Sequence, residues 1–201
     1  MNQFEVVLFD LGNVLVQVDV MNFPRSLGFQ SVEELDPVVS KILELQQQYE
    51  AGNFATDDFF HEVERILQNK FTREELKRAF STIICEPING METLVQNISK
   101  KYRTGLVSNT SEFHYKESLQ KVPALKYLSK HYVSYQLKTL KPSKKFYDIV
   151  LNDLKCNPER IIFIDDLATN VEGAVQAGMV GIQFQNSAQL QADLDMRGIR
   201  Y

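Results

Sequence analysis

"VVLFDLGNVL", residues 6–15, runs four apolar residues straight into an acid, Asp10, and then into Gly12 and Asn13. Two readings compete. Gly-Asn between apolar runs is a two-residue hairpin signal, which would make this stretch a plain β-hairpin. Alternatively, a carboxylate at the C-terminal end of a buried strand is where open α/β sheets place their chemistry. The choice depends on whether other strands in the chain end in the same way.

Four further short apolar runs read as buried strands: 103–107 "RTGLV", 132–135 "YVSY", 161–164 "IIFI" and 180–184 "VGIQF". Helical patterns follow three of them, at 111–122, 142–154 and 169–179. Strands alternating with helices indicate a parallel sheet covered on both faces. The rhythm breaks between the first two runs. Residues 20–87 hold no strand candidate and read as helices, among them 32–49, 56–69 and 72–83. Thr56 before Asp57 and Asp58, and Thr72 before Glu74 and Glu75, are N-terminal capping signatures. So long a helical block exceeds an ordinary βα connection and reads as an inserted unit, 19–87, on a core of 1–18 and 88–201.

Composition limits the partners. The 201 residues carry 22 Lys and Arg against 26 Asp and Glu, a net charge of −4 with no basic run, which argues against nucleic acid. Cys85 and Cys156 lie far apart without metal-ligand spacing, so a disulfide framework is not expected and a reducing cytoplasm is the default location. The N-terminal stretch carries Glu5 and Asp10 and shows no signal peptide or membrane span. No protein partner is evident.

In a parallel sheet all strand C-termini share one edge, so the residues just past each apolar run share a crevice. These are Asp10, Ser108 and Asn109, and Asp165 with Asp166; Lys141 follows the third run. Taken singly, Asp10 could be a turn residue, Ser108-Asn109 a helix cap and Lys141 a solvated surface lysine. Asp165-Asp166 is harder to dismiss, because adjacent carboxylates at the end of a buried run repel unless a cation compensates. Mg²⁺ suits such oxygen ligands. Together the residues point to phosphoryl chemistry. Asp10 and Asp166 would hold Mg²⁺, while Ser108, the N–H groups after it and Lys141 would hold phosphate. Asp10 would attack in line to form an aspartyl-phosphate that water hydrolyses.

Four motifs carry a resemblance to a known family: "VVLFDLGNVL", "GLVSNT", "LKPSKKFYDIVL" and "IIFIDDLATNVEGAVQAGM". In this order they resemble the haloacid dehalogenase superfamily of aspartate-nucleophile phosphohydrolases. "DLGNVL" and "FIDDLATNVEGA" are similar to a branch with bacterial sugar-1-phosphate phosphatases, related to the phosphatase domain of soluble epoxide hydrolases. The resemblance implies an α/β, Rossmann-like three-layer core with a five-stranded parallel sheet of order 5-4-1-2-3 and an inserted α-helical cap. It implies a helical turn after Asp10 and then a β-flap, with "VLVQV" as a flap strand. It also implies Mg²⁺ bound by Asp10, the Gly12 backbone carbonyl and Asp166, with Asp10 and Lys141 catalytic. Ser108, Asn109 and Lys141 would bind phosphate, and Asp165 and Asn170 would support them. The implied reaction is hydrolysis of a small phosphorylated metabolite, sugar phosphates among the candidates.

One position departs from the family. Most of its phosphatases carry a second acid two residues after the nucleophile, and here that residue is Gly12. General acid–base help is worth about 10² to 10⁴ in rate. Its loss favours leaving groups that need little protonation, such as anomeric, acyl or aryl phosphates, unless Asp19, Glu50 or His61 substitutes. Gly12 also raises a rival reading, a catalytically weak phosphometabolite-binding or regulatory protein. In the helical block, Tyr49, Glu50 or Asn53 of "YEAGNF" would read the substrate if the turn faces the crevice.

Overall fold

The computed structural model describes residues 3–29 and 38–201. A five-stranded parallel sheet forms the centre, built on β1 (Val6–Phe9), β4 (Arg103–Ser108), β5 (Lys130–Val133), β6 (Ile161–Asp165) and β7 (Val180–Gln183). All four residues of β1 are buried, as expected for a strand covered on both faces. Val7, Phe9, Ile162 and Ile164 point to one side, against α5 (Met91–Ser99) and α10 (Ser187–Met196). Val6, Leu8, Ile161 and Phe163 point to the other, against α8 (Lys144–Leu154) and α9 (Ala168–Gln176). This alternation is the two-residue period of a strand. Each fully buried Val, Leu or Phe contributes about 1.5–3 kcal/mol.

The hairpin reading of residues 6–18 is excluded. β1 pairs in parallel with β4 and β6, and Gly12-Asn13 joins no hairpin. The chain instead makes one helical turn, Leu15 N–H donating to Leu11 O at 2.8 Å. Asn13 sits at φ +54° in the left-handed region that Asn tolerates.

Numbered over all seven strands, the sheet order is β5-β4-β1-β6-β7 rather than 5-4-1-2-3, because two strands outside the sheet enter the count. Two short strands outside the sheet, β2 (Val16–Val18) and β3 (Ile84–Pro87), pair antiparallel and take chain numbers between β1 and β4. Counted without them, the sheet strands run 5-4-1-2-3 from the β7 edge, the topology that the resemblance implies. β2 is the flap strand within "VLVQV". β3 overturns the expectation that 20–87 contains no strand. Its four residues end in Pro87 and show no alternation, so only pairing with β2 defines them as a strand.

Between β2 and β3 lie α1 (Asn22–Ser26), α2 (Val38–Glu50), α3 (Thr56–Ile66) and α4 (Arg73–Ser81). Residues 32–37 of the helix expected at 32–49 fall outside the described residues. The block has an aromatic core: Tyr49 stacks on Phe59 at 4.4 Å, and Phe60 meets Phe80 edge-on at 5.6 Å. Thr72 opens α4 with a full capping box, reciprocated by Glu75. At α3 the expected cap is corrected. Ala55 occupies the capping position, and the Thr56 hydroxyl bonds Tyr49 and Glu112 instead.

β5 also lies two residues earlier than the expected 132–135. Ser134 leaves the strand to begin α7 (Ser134–Leu137), where its hydroxyl is engaged outside the sheet. The remaining strand–helix connection is α6 (Glu112–Lys121), capped by Ser111. Among the described residues no helix is long and apolar enough to cross a membrane.

Candidate active site

Register brings the strand ends level. Phe9 pairs with Leu106 on one side and Ile164 on the other, so Asp10 lies beside Val107 and Asp165. The chain starts at the central strand, moves outward through β4 and β5, then crosses back to β6 and β7. That places Asp10 at the switch point where α/β sheets open a crevice.

Lys141 binds the strand ends together. Its side chain is 1 % exposed, and Nζ donates to Asp10 Oδ1 at 2.8 Å, Asp165 Oδ2 at 2.6 Å and Val107 O at 2.8 Å. All three ammonium protons are engaged. Asn109 holds the backbone of the same lysine: its Oδ1 accepts from Lys141 N and its Nδ2 donates to Lys141 O. The Asn109 side chain is therefore committed to Lys141.

Asp165 is fully buried, and both its oxygens are engaged. Oδ1 accepts from Leu167 N and Asn170 Nδ2, while Oδ2 accepts from Lys141 and, at 3.2 Å, Asn170 Nδ2. Tyr147 in turn donates to Asn170 O, fixing the start of α9. Asp166 is partly buried and accepts from Asn13 Nδ2 at 3.2 Å. Sequence reasoning missed Asn13, although a left-handed Asn following the nucleophile's turn was a usable signal.

Asp10, Asp165 and Asp166 each offer an oxygen, all within 4.8 Å of one another. Three carboxylates against one ammonium leave an excess of negative charge. Burial pushes the Asp10 carboxyl up to about 6, even though the Lys141 charge opposes this and only Asp165 reinforces it. Burial likewise raises Asp166. Burial alone would lower the Lys141 ammonium, but Asp10 and Asp165 raise it above the ordinary lysine value. Hard oxygen donors carrying surplus negative charge fit a divalent cation such as Mg²⁺.

Ser108 is buried at the end of β4, its hydroxyl 3.4 Å from Asn109 O. With Gly12, Gln46, Glu50, Asn109 and His114 it lines a cavity of about 70 Å³ between the sheet edge and the helical block. The Glu50 carboxyl accepts from Gln46 Nε2 at 3.0 Å, and burial pushes it up to about 7. His114 stacks on Phe80 and is held neutral, burial lowering it to about 4. Its Nε2 lies 3.0 Å from Phe80 O, which can only accept, so that nitrogen carries the proton. Nothing in the residue pattern had marked Gln46 or His114.

Tyr49 and Asn53 do not join this cavity lining. The Tyr49 hydroxyl accepts from Phe113 N and bonds Thr56, and Asn53 Nδ2 donates to Gln48 Oε1 at 2.5 Å.

The sequence pattern of the haloacid dehalogenase-like hydrolases matches residues 7–183, and the chain belongs to that family of hydrolytic enzymes. It is 25% identical over 196 residues to D-ribitol-5-phosphate phosphatase of Bacteroides thetaiotaomicron, covering 94% of this chain and 95% of that protein. It is 26% identical over 193 residues to a phosphorylated carbohydrates phosphatase of Thermotoga maritima, covering 87% and 82%. The fold is similar to the crystal structure of a haloacid dehalogenase family enzyme from Bacteroides thetaiotaomicron, with TM-score 0.82, 24% identity and coverage of 92% and 95%. A second structure of that enzyme, in complex with magnesium and inorganic phosphate, aligns with TM-score 0.77, 24% identity and coverage of 92% and 96%.

Proposed function

We propose that this chain is a Mg²⁺-dependent phosphatase of small phosphorylated metabolites, phosphorylated carbohydrates among them, with Asp10 as nucleophile. The observation that carries the reading is the convergence of Asp10, Asp165 and Asp166 around the buried Lys141 ammonium. The two carbohydrate-phosphate phosphatases that the chain resembles over most of its length support the substrate class.

Asp10, the Gly12 carbonyl and Asp166 would hold Mg²⁺. The ion, when bound, neutralises charge on the ligands and on phosphate oxygens. Lys141 keeps Asp10 ionised and fixed in orientation, and Asp165 and Asn170 keep Lys141 in place. Ser108 and the backbone N–H of Asn109 directly after it meet the remaining phosphate oxygens. An Asp10 oxygen attacks phosphorus, the bond to the leaving oxygen breaks, and water then attacks the phosphorus of the aspartyl-phosphate. Inorganic phosphate leaves and the carboxylate is restored. Residues 19–87 act as a cap over the 1–18 and 88–201 core, excluding bulk water from the site.

Release of phosphate from p-nitrophenyl phosphate and D-ribitol 5-phosphate tests this reading. We expect turnover that requires Mg²⁺ and is abolished by Asp10→Asn. Binding of phosphate compounds without turnover would favour the rival reading of a regulatory protein, which Gly12 motivates.

A further inference from the structure

The site as described lacks a proton donor for the leaving oxygen, because Gly12 offers only backbone where most of the family's phosphatases carry an acid. Three side chains are candidates to replace it, and the structure separates them. Asp19 is half-exposed; its Oδ2 pairs with Arg25 at 2.8 Å and its Oδ1 accepts from Met21 N. His61 is largely exposed on α3 and faces Glu64 at 3.6 Å. Glu50 lines the cavity that Gly12 and Ser108 also line.

We infer that Glu50 is the catalytic acid that protonates the leaving-group oxygen, acting from the helical block in place of a side chain at position 12. This rests on the phosphatase reading above.

The placement of Glu50 is built into the fold. It is the last residue of α2, and its backbone carbonyl accepts from Ser134 Oγ at 2.6 Å. The same hydroxyl oxygen accepts from Thr110 N at 2.9 Å, two residues past Ser108. One serine thus ties the turn carrying Glu50 to the loop assigned to phosphate. Lys138 Nζ donates to Gly52 O, and Tyr49 OH accepts from Phe113 N on α6, so the turn is pinned on three sides. Among the described residues the carboxyl's one hydrogen bond comes from neutral Gln46, and no cation pairs with it. A partly buried carboxyl in that setting favours its protonated form, the form an acid catalyst needs. When the P–O bond breaks, the Glu50 proton passes to the departing oxygen and leaves a carboxylate. The water consumed in the second step returns the proton.

The test compares aryl phosphates of nearly one shape whose phenols differ in acidity: p-nitrophenyl, phenyl and p-methoxyphenyl phosphate. kcat/KM covers steps only up to formation of the aspartyl-phosphate, so water activation does not enter. Glu50→Gln should leave p-nitrophenyl phosphate within a few fold of wild type. It should lower kcat/KM for phenyl phosphate by about 10²-fold or more, steepening the dependence on leaving-group pKa. Glu50→Asp should restore part of the loss, and Asp19→Asn and His61→Gln should leave the slope unchanged. Retained p-nitrophenyl phosphate turnover reports that the variant is folded. Parallel slopes for wild type and Glu50→Gln overturn the inference, because a residue that only reads substrate shape treats these esters alike. Absence of turnover of all three esters by the wild-type protein overturns the phosphatase reading itself, and this inference with it.

Discussion

Two residues carry most of the electrostatic argument, and they titrate for different reasons. Lys141 stays charged because two carboxylates and a carbonyl accept hydrogen bonds from its ammonium, and removing it would leave Asp10 and Asp165 buried without that cation. Among the described residues no cation pairs with Glu50, and burial moves its carboxyl from 4.5 to about 7. The folded-state value therefore lies above the unfolded one. Below pH 4.5 both states hold the proton and Glu50 costs nothing. As the pH rises to about 7, the unfolded chain ionises first and wild type loses stability, by at most about 1.4 kcal/mol per pH unit. Denaturant unfolding of the metal-free protein should show Glu50→Gln gaining on wild type between pH 4.5 and 7, with the gap constant above. A gap independent of pH would mean that Glu50 ionises as freely as a surface glutamate.

At the scale of elements, the turn after α2 and the strand ends form one mechanical unit. Gly52 has φ +76°, and a Cβ there would come within 2.2 Å of Tyr135 O on α7. Gly52→Ala should therefore lift the turn off α7 and destabilise the protein by more than about 1 kcal/mol. It should also reduce kcat/KM for phenyl phosphate more than for p-nitrophenyl phosphate, because Glu50 is displaced while Asp10 is not. Equal losses on both esters would separate the turn from proton donation. The sequence marked this turn as "YEAGNF" without showing which of its side chains faces the site. That is decided by Ser134, Lys138 and Phe113, which lie 60 or more residues away. The short β3 was illegible for the same reason, since its identity as a strand comes from pairing with β2. The buried sheet strands were legible because each is a compact β-branched run with a polar break after it, as in "IIFIDD".

Across the whole molecule, three acids more than a hundred and fifty residues apart in part of their spacing meet because every sheet strand points the same way. The order of motifs in the sequence was enough to group Asp10, Lys141, Asp165 and Asp166. It could not reveal that Lys141 is fully buried, or that the Asn109 side chain serves the lysine backbone. Those facts depend on register and on the close approach of α8 and α9. Gly173 shows that approach, since a Cβ on it would lie 2.8 Å from Tyr147 Cε2. The central claim is that this convergence makes Asp10 a nucleophile toward phosphorus. Mass spectrometry of protein quenched in acid during turnover of p-nitrophenyl phosphate with Mg²⁺ tests it most directly. The account predicts one added phosphoryl group on the peptide containing Asp10, absent in Asp10→Asn. A phosphoryl group on a different residue, with phosphate release undiminished in Asp10→Asn, would contradict it.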